Sequence, residues 1–489
     1  MTQTLVAYNI GNYLLDCLYD YGVKHIFGIP GDYILQFDKL IEQHKIKYIN
    51  ATSENSAGNM ADAYGRLRGL GVVCITYGVG INISNALAQA YAESSPLVVI
   101  SGAPNLSEYD KGQKLHHLLN KNSILHQMDT TQLEIFSHFT IDQAILTSAE
   151  EAKTQIDRVL WSCQKHKKPV YIEIPRGMAL ATLPQIVHEQ ETSQNLASFQ
   201  STPTSRAIAL HPILEQIKHL LQKSEKPVIW AGHEILRYHL SSALIAFAAQ
   251  NQIPIASTLL GKTVINEDHP LSLGVYQGKM SRSEVRDTVE KGDCLLMLGG
   301  ILSDVDTGIY TTELNHQHKI FATAAEIVID GQSYFGLDFA DFIQALAETA
   351  QLAAPERRTI GIVGDGAFQM TATELSTAAR YKLDPIMIVL NNQGYGTERP
   401  LLEGEYNDIH NWNYSFLPKL LNCGVGIKVS TEDAFDTAFK AALTQRGQFH
   451  LIEVELDKTD FSPALNRFLS FVNGTKTNDR TAEMVMPNN

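Results

Sequence analysis

Short apolar runs rich in β-branched residues alternate with helix-period stretches along the whole chain. Runs such as "GVVCITYG" from Gly71, "PLVVISG" from Pro96 and "PVYIEIP" from Pro169 show no polar alternation. Strands of that kind are buried on both faces, as in parallel sheets sandwiched between helices. "ENSAGNMADAYGRLRG" from Glu54 reads as a helix closed by Gly69, and "NISNALAQAYAE" as another. The N-terminal "MTQTLVAYNIGNYLLDCLYDYG" reads as an amphipathic helix. "KHIFGIPGD" and "IKYINAT" complete a first α/β block. A polar stretch, "HEQETSQNLASFQSTPTSR", reads as a linker. A second block follows with strands "PVIWAG", "IPIAST", "GDCLLMLGG" and "EIVIDG". A third carries strands "RRTIGIVGD", "DPIMIVLNN" and "HLIEVELD" and helices "TATELSTAARYK" and "AFDTAFKAALTQ". The pattern predicts an α/β protein of three doubly wound parallel-sheet domains, over residues 1–187, 188–346 and 347–489.

Composition narrows the function classes. A chain of 489 residues with 44% hydrophobic residues is large enough for several cores. A formal charge of −14 with no basic stripe argues against nucleic-acid binding. The five cysteines are scattered and never spaced as CxxC, which fits reduced thiols rather than a zinc site. No basic, apolar leader opens the chain and no apolar run is long enough to span a bilayer, so a cytoplasmic location and no membrane partner are expected.

The chemistry concentrates between Gly364 and Glu398, "GDGAFQMTATELSTAARYKLDPIMIVLNNQGYGTE". Gly364 and Gly366 bracket Asp365 at the end of a β-branched strand, where glycines let a ligand approach the backbone closely. A carboxylate cannot serve a phosphate directly, because like charges repel. A divalent cation between them removes the conflict, and Mg²⁺ is commonly shared with substrate phosphates. Asn392 ends the next strand and offers a second oxygen, and Gly394 a backbone carbonyl. Adjacent parallel strands bring both clusters to the C-terminal edge of the sheet, where open α/β sheets bind ligands. GDG alone is a common strand-to-helix turn; GDG, 24 residues and then NN is far more specific.

This pattern resembles the thiamine-diphosphate motif, and nearly the whole chain is similar to the 2-oxo acid decarboxylases, a family that includes pyruvate, indolepyruvate and branched-chain oxo acid decarboxylases. The resemblance implies thiamine diphosphate and Mg²⁺ as cofactors, with Asp365, Asn392 and the Gly394 carbonyl on the metal. It places Gly366 and Ala367 against the diphosphate. "SENSAGNMADAYGR" resembles the helix carrying the cofactor-activating glutamate, here Glu54, which hydrogen-bonds the pyrimidine N1′. "TYGVG" resembles the turn beside the aminopyrimidine ring, at Val79 and Gly80. "GIPGD" supplies Asp32, "LHHLL" supplies His116 and His117, and "NNQGYGTE" ends in Glu398; these four form the implied proton shuttle, with crowding of Asp32 and Glu398 expected to keep one of them protonated. The implied reaction is non-oxidative decarboxylation of a 2-oxo acid to an aldehyde and carbon dioxide. The family places Glu54 against a cofactor held by a neighbouring subunit, so a homodimer is the minimum and a homotetramer is expected.

Taken singly, each motif has an ordinary explanation. A glutamate at a helix start is usually a favourable charge near the dipole, an aspartate in a turn usually a cap, and a histidine pair usually half core and half surface. Their joint appearance in the family's order decides for function. One feature departs from the pattern: between "AETA" and "QLAAPERR" the chain is several dozen residues shorter than its relatives, so the third domain lacks its first segment. Residues missing from the written sequence, joined across, explain this better than a true deletion. The segment would include part of the substrate pocket; Leu465, Phe468 and Leu469 are further pocket candidates, equally readable as core. Three rivals remain: a carboligating enzyme of the acetohydroxyacid synthase type, a non-catalytic scaffold, and a dinucleotide dehydrogenase, whose GxGxxG spacing "GIVGDG" does not fit.

Overall fold

The computed structural model describes residues 8–111, 115–118, 128–184, 203–335, 337–347, 360–380, 382, 384–400, 403–463 and 465–467. The chain divides into two compact units, Met1–Ile213 with Leu236–Leu240, and Leu214–Ile235 with Ser241–Asn489. The first unit holds one sheet and the second holds two.

The first sheet contains β1 (His25–Gly28), β2 (Lys47–Asn50), β3 (Gly71–Ile75), β4 (Leu97–Ala103), β5 (Gln143–Ile145) and β6 (Val170–Pro175). Their order is β2-β1-β3-β4-β6-β5, parallel throughout. β3 and β4 are buried at every position, which explains their unbroken apolar sequences. The order reverses between β1 and β3. That topological switch point puts the Pro30–Asp32 turn and the Tyr77–Gly80 turn side by side at the C-terminal edge. The helix Glu54–Arg68 starts where Ser53 Oγ accepts from the Ser56 N–H at 3.2 Å and stops at Gly69, whose φ is 93°.

The second unit's larger sheet contains β7 (Pro227–Ala231), β8 (Ile255–Ser257), β9 (Ser272–Val275), β10 (Cys294–Leu298), β11 (His318–Ala322), β12 (Ile327–Ile329) and β13 (Gln332–Tyr334). The order is β13-β12-β11-β10-β7-β8-β9. The sheet is parallel from β9 to β11, and β12 and β13 add an antiparallel edge, with β12 and β13 joined through a tight Asp330–Gly331 hairpin. Two residues cannot make the crossover that a parallel pair requires. The expected linker also ends early: Pro203–Arg206 open a helix, Pro203–Lys223, and the preceding residues 188–202 lie outside the described ones.

The last sheet contains β14 (Ile360–Gly364), β15 (Ile386–Asn391), β16 (Val425–Val429) and β17 (His450–Glu455), all parallel, in the order β14-β15-β17-β16. The helix expected over "TATELSTAARYK" instead begins at Asp365, breaks into a 3₁₀ turn at Ala372–Glu374 and resumes as Leu375–Arg380. The join between "AETA" and "QLAAPERR" lies outside the described residues, as do Phe468 and Leu469.

Candidate active site

In the second unit β14 delivers Asp365 and β15 delivers Asn391 and Asn392 to one edge of the sheet, as the Gly364–Leu390 register requires. Asp365 is fully buried. Its carboxylate accepts from the Gly366 N–H at 2.9 Å and the Gly394 N–H at 3.1 Å. Burial pushes the carboxyl above its ordinary range, and these N–H groups pull it back. The two asparagines separate by role. Asn391 points inward and donates to Glu453 at 2.9 Å. Asn392 turns its amide end to Asp365 Oδ1 at 3.1 Å and the Gly394 carbonyl oxygen at 2.9 Å.

That contact tests the metal. With nitrogen at this end of Asn392, both contacts are hydrogen bonds. With oxygen there, three oxygens face one another, which only a cation makes favourable. Neighbouring corners of a Mg²⁺ octahedron with bonds of about 2.1 Å stand about 3 Å apart. The two separations from Asn392 match neighbouring Mg²⁺ ligands as well as hydrogen bonds, so the residues present can accommodate the ion, with the amide orientation decided by it.

The loop that presents Gly394 is braced. Gly394 has φ 151° and a Cβ there would stand 2.0 Å from the Asn407 carbonyl, so only glycine fits. Tyr395 donates from its backbone to Asn407 at 2.9 Å. Arg399, nearly buried, donates to the carbonyls of Gln393 and Asn407 and pairs with Asp408. Nothing in the motif pointed to Arg399. Glu398 sits exposed on the same loop, and Ala367 lies in the first turn of the helix Asp365–Thr371.

In the first unit the structure gathers Glu54 with the 3₁₀ turn Val79–Ile83. Asn82 Nδ2 donates to Glu54 Oε2 at 3.1 Å. Gly80 packs so closely on Ile75 that a Cβ would meet its Cδ1 at 2.7 Å, whereas Val79 projects outward, 43% exposed. Asp32, His116 and His117 form a second group at the same sheet edge. His116 Nε2 lies 2.9 Å from Asp32 Oδ2, the His116 ring stacks on Tyr33, and the two histidine rings meet edge to face at 4.9 Å.

Arg176 completes that group, and sequence reading missed it. It donates to Asp32 at 2.7 Å and to Glu108 at 3.0 Å, and its guanidinium lies over the Tyr33 ring at 4.7 Å. The neighbour that the structure gives Asp32 is thus a permanent cation. Arg176 stands at the end of β6, 144 positions from Asp32, so no local spacing announces the pair. Among the described residues no group of three or more His, Cys, Asp or Glu side chains is arranged to hold a metal.

Fold and site together define a class. Residues 8–132 match the thiamine pyrophosphate enzyme N-terminal TPP binding domain, residues 214–367 the central domain and residues 337–454 the C-terminal TPP binding domain. The Rhodococcus jostii thiamine diphosphate-dependent 4-hydroxybenzoylformate decarboxylase superposes with a TM-score of 0.71 at 18% identity, covering 92% of this chain and 99% of its own, which shows the shared fold. Indole-3-pyruvate decarboxylase of Azospirillum brasilense is 28% identical over 546 residues, 93% of this chain and 97% of that one. An alpha-keto-acid decarboxylase of Mycobacterium tuberculosis is 28% identical over 565 residues, 95% of this chain and 97% of that one. The chain belongs to the thiamine-diphosphate-dependent 2-oxo acid decarboxylase family.

Proposed function

We propose that this protein decarboxylates a 2-oxo acid non-oxidatively to an aldehyde and carbon dioxide, with thiamine diphosphate and Mg²⁺. The observation that carries the reading is the cluster of Asp365, the Asn392 amide and the Gly394 carbonyl at one sheet edge, spaced for Mg²⁺. When bound, thiamine diphosphate supplies the nucleophilic thiazolium carbon and the electron sink for the bond that breaks.

The residues of this chain supply the rest. Asp365, Asn392 and the Gly394 carbonyl hold the metal, and Gly364, Gly366 and Ala367 leave room for the diphosphate beside it. Glu54, steadied by Asn82, hydrogen-bonds N1′ of the pyrimidine, while Val79 and Gly80 form the surface beside that ring. Asp32, His116, His117 and Glu398 hold and move the proton that the product receives. Arg176 keeps Asp32 in place and compensates its charge.

Minimal assembly is a homodimer, and a homotetramer is expected, because the family shares each cofactor between subunits. The domain boundaries at residues 187 and 346 place one sheet in each domain. We place the protein in the cytoplasm. All five cysteines are free, and among the described residues no helix is long and apolar enough to cross a membrane. Names of the relatives favour decarboxylation over carboligation, a scaffold or dinucleotide chemistry, and leave the side chain of the oxo acid open. A panel of 2-oxo acids assayed for aldehyde release tests the function. Release must require both thiamine diphosphate and Mg²⁺ and stop on chelation; no release from any member refutes it.

A further inference from the structure

Beyond Ile75 the backbone makes an unusual turn. Gly78 has φ 81° and ψ −72°, and the Val79 N–H donates to the Tyr77 carbonyl at 3.0 Å. Those angles with an i to i+2 bond make a γ-turn of positive φ, which is rare and strained. Such a turn persists where its surroundings over-determine it.

One side chain does this. Gln132 is fully buried, and its Oε1 accepts from the Gly78 N–H at 2.8 Å. Its Nε2 donates to Ser101 Oγ at 2.8 Å and to Tyr171 Oη at 3.0 Å. Tyr171 passes the chain on to Glu173 at 2.6 Å. The Gln132 backbone N–H donates to Tyr77 Oη at 3.3 Å, and that hydroxyl donates to the Asp129 carbonyl at 2.6 Å. Every hydrogen of the amide is committed, so its oxygen has one place to face, the Gly78 N–H.

The turn also has an outer face. A Cβ at Gly78 would stand 2.2 Å from the His117 carbonyl oxygen and 2.8 Å from the His117 Cβ. His117 itself has φ 64°. Two positive-φ residues therefore lie against each other, one leading into Val79 and Gly80, the other carrying the second histidine.

We propose that Gln132 is a positioning residue. It locks the γ-turn at Gly78 and through it sets both the Val79–Gly80 edge and the seat of His117. This rests on reading Val79 and Gly80 as the turn beside the aminopyrimidine ring. None of the motifs that define the site includes Gln132. The amide links the interior of the sheet to both functional groups of the first unit.

Gln132→Met fills the same volume without an acceptor for the Gly78 N–H. Ser101→Ala and Tyr171→Phe each remove another partner of Gln132 and leave that bond intact. Two quantities are read in all three variants: amide hydrogen exchange at Gly78 and Val79 in the cofactor-free protein, and the calorimetric Kd of thiamine diphosphate in Mg²⁺. In Gln132→Met, exchange is expected to quicken and Kd to rise by about 10-fold or more, the scale set by a buried donor left unpaired. In the other two variants both quantities are expected to stay within about 3-fold of wild type. Unchanged exchange in Gln132→Met, or one shared loss across all three variants, overturns the proposal. If Gln132→Met does not fold, Gln132→Glu retains an acceptor and must keep slow exchange at Gly78; fast exchange there is equally fatal. The exchange measurement uses no cofactor. A wild-type protein that failed to bind thiamine diphosphate would remove the functional reading alone, whereas equal binding by wild type and Gln132→Met removes the role of Gln132.

Discussion

Glu54 begins its helix at a position where a carboxylate is common, and its function shows only in what faces it. Asn82 donates to one oxygen at 3.1 Å, which aims the carboxylate from the turn that also carries Val79 and Gly80. Glu54→Gln preserves the shape but cannot stabilise a protonated N1′. Cofactor binding is therefore expected to survive while C2–H exchange of the bound cofactor slows by about 10²–10⁴-fold. An exchange rate equal to wild type removes Glu54 from activation. The Asp32 group predicts the opposite division. Asp32→Asn should leave C2–H exchange normal and suppress aldehyde release. Arg176→Gln removes the cation that holds Asp32, so release should fall by about 10-fold to 10²-fold, the effect expected of a residue that orients another. If Arg176→Gln slows C2–H exchange instead, Arg176 acts on cofactor activation and not through Asp32.

Strand β6 carries a titrating group into the interior. Glu173 is fully buried and accepts from the Tyr171 hydroxyl, and burial pushes its carboxyl up to about 7. A carboxyl raised above its unfolded value is held protonated in the native state. Its stabilising contribution is whole below the ordinary value of 4.5 and is lost as pH climbs to about 7, because the unfolded chain releases the proton first. Glu173→Gln should therefore lose less stability than wild type between pH 4.5 and 7, by up to about 3 kcal/mol. Asp38, pushed by burial to about 7 as well, titrates in both proteins and cancels in the comparison. Urea midpoints at pH 5 and pH 7.5 check this; parallel losses in the two proteins would show Glu173 to be ionised throughout. The strands clearest in the sequence were those buried on both faces, such as β3, β4 and β6. β16, "VGIKV", was not legible, because exposed Gly426 and Lys428 alternate with its apolar residues and leave no continuous apolar run. β5, "QAI", and β9, "SLGV", carry too few β-branched residues to stand out. The active-site motifs were legible because each is local. Arg176, Asn82, Gln132 and Arg399 were not, because their partners come from other elements and only folding brings them close.

Of the three sheets the last is the smallest, and its edge is unusual. Among the described residues β14 has one neighbour, β15, and leaves Ile360 44% and Ile362 67% exposed, where its apolar sequence promised burial. Alignments with relatives run to 546 and 565 residues against a chain of 489, so those relatives contribute segments for which this sequence has no counterpart. Both observations support a third domain that lacks part of itself. An intact mass well above 54.2 kDa is expected if residues are missing from the written sequence; a mass of 54.2 kDa establishes a true deletion. Either way the proposed Mg²⁺ site makes a demand of the whole protein. A ligand that binds only the folded state stabilises it by mass action, by about 2.7 kcal/mol at 100 times its Kd. Thiamine diphosphate and Mg²⁺ together should raise the melting temperature, and each alone should raise it less, because the diphosphate and Asp365 repel without the cation. Asp365→Ala should abolish the shift. Its Gly366 and Gly394 N–H groups also lose their acceptor, so Asp365→Asn provides the control: it keeps an oxygen for one of them but not the charge. Loss of cofactor binding in both variants, with the first unit still folded by hydrogen exchange, assigns the effect to the carboxylate. Wild-type affinity in either variant by calorimetry refutes the metal assignment, since a site built on one buried carboxylate cannot hold a divalent cation without it.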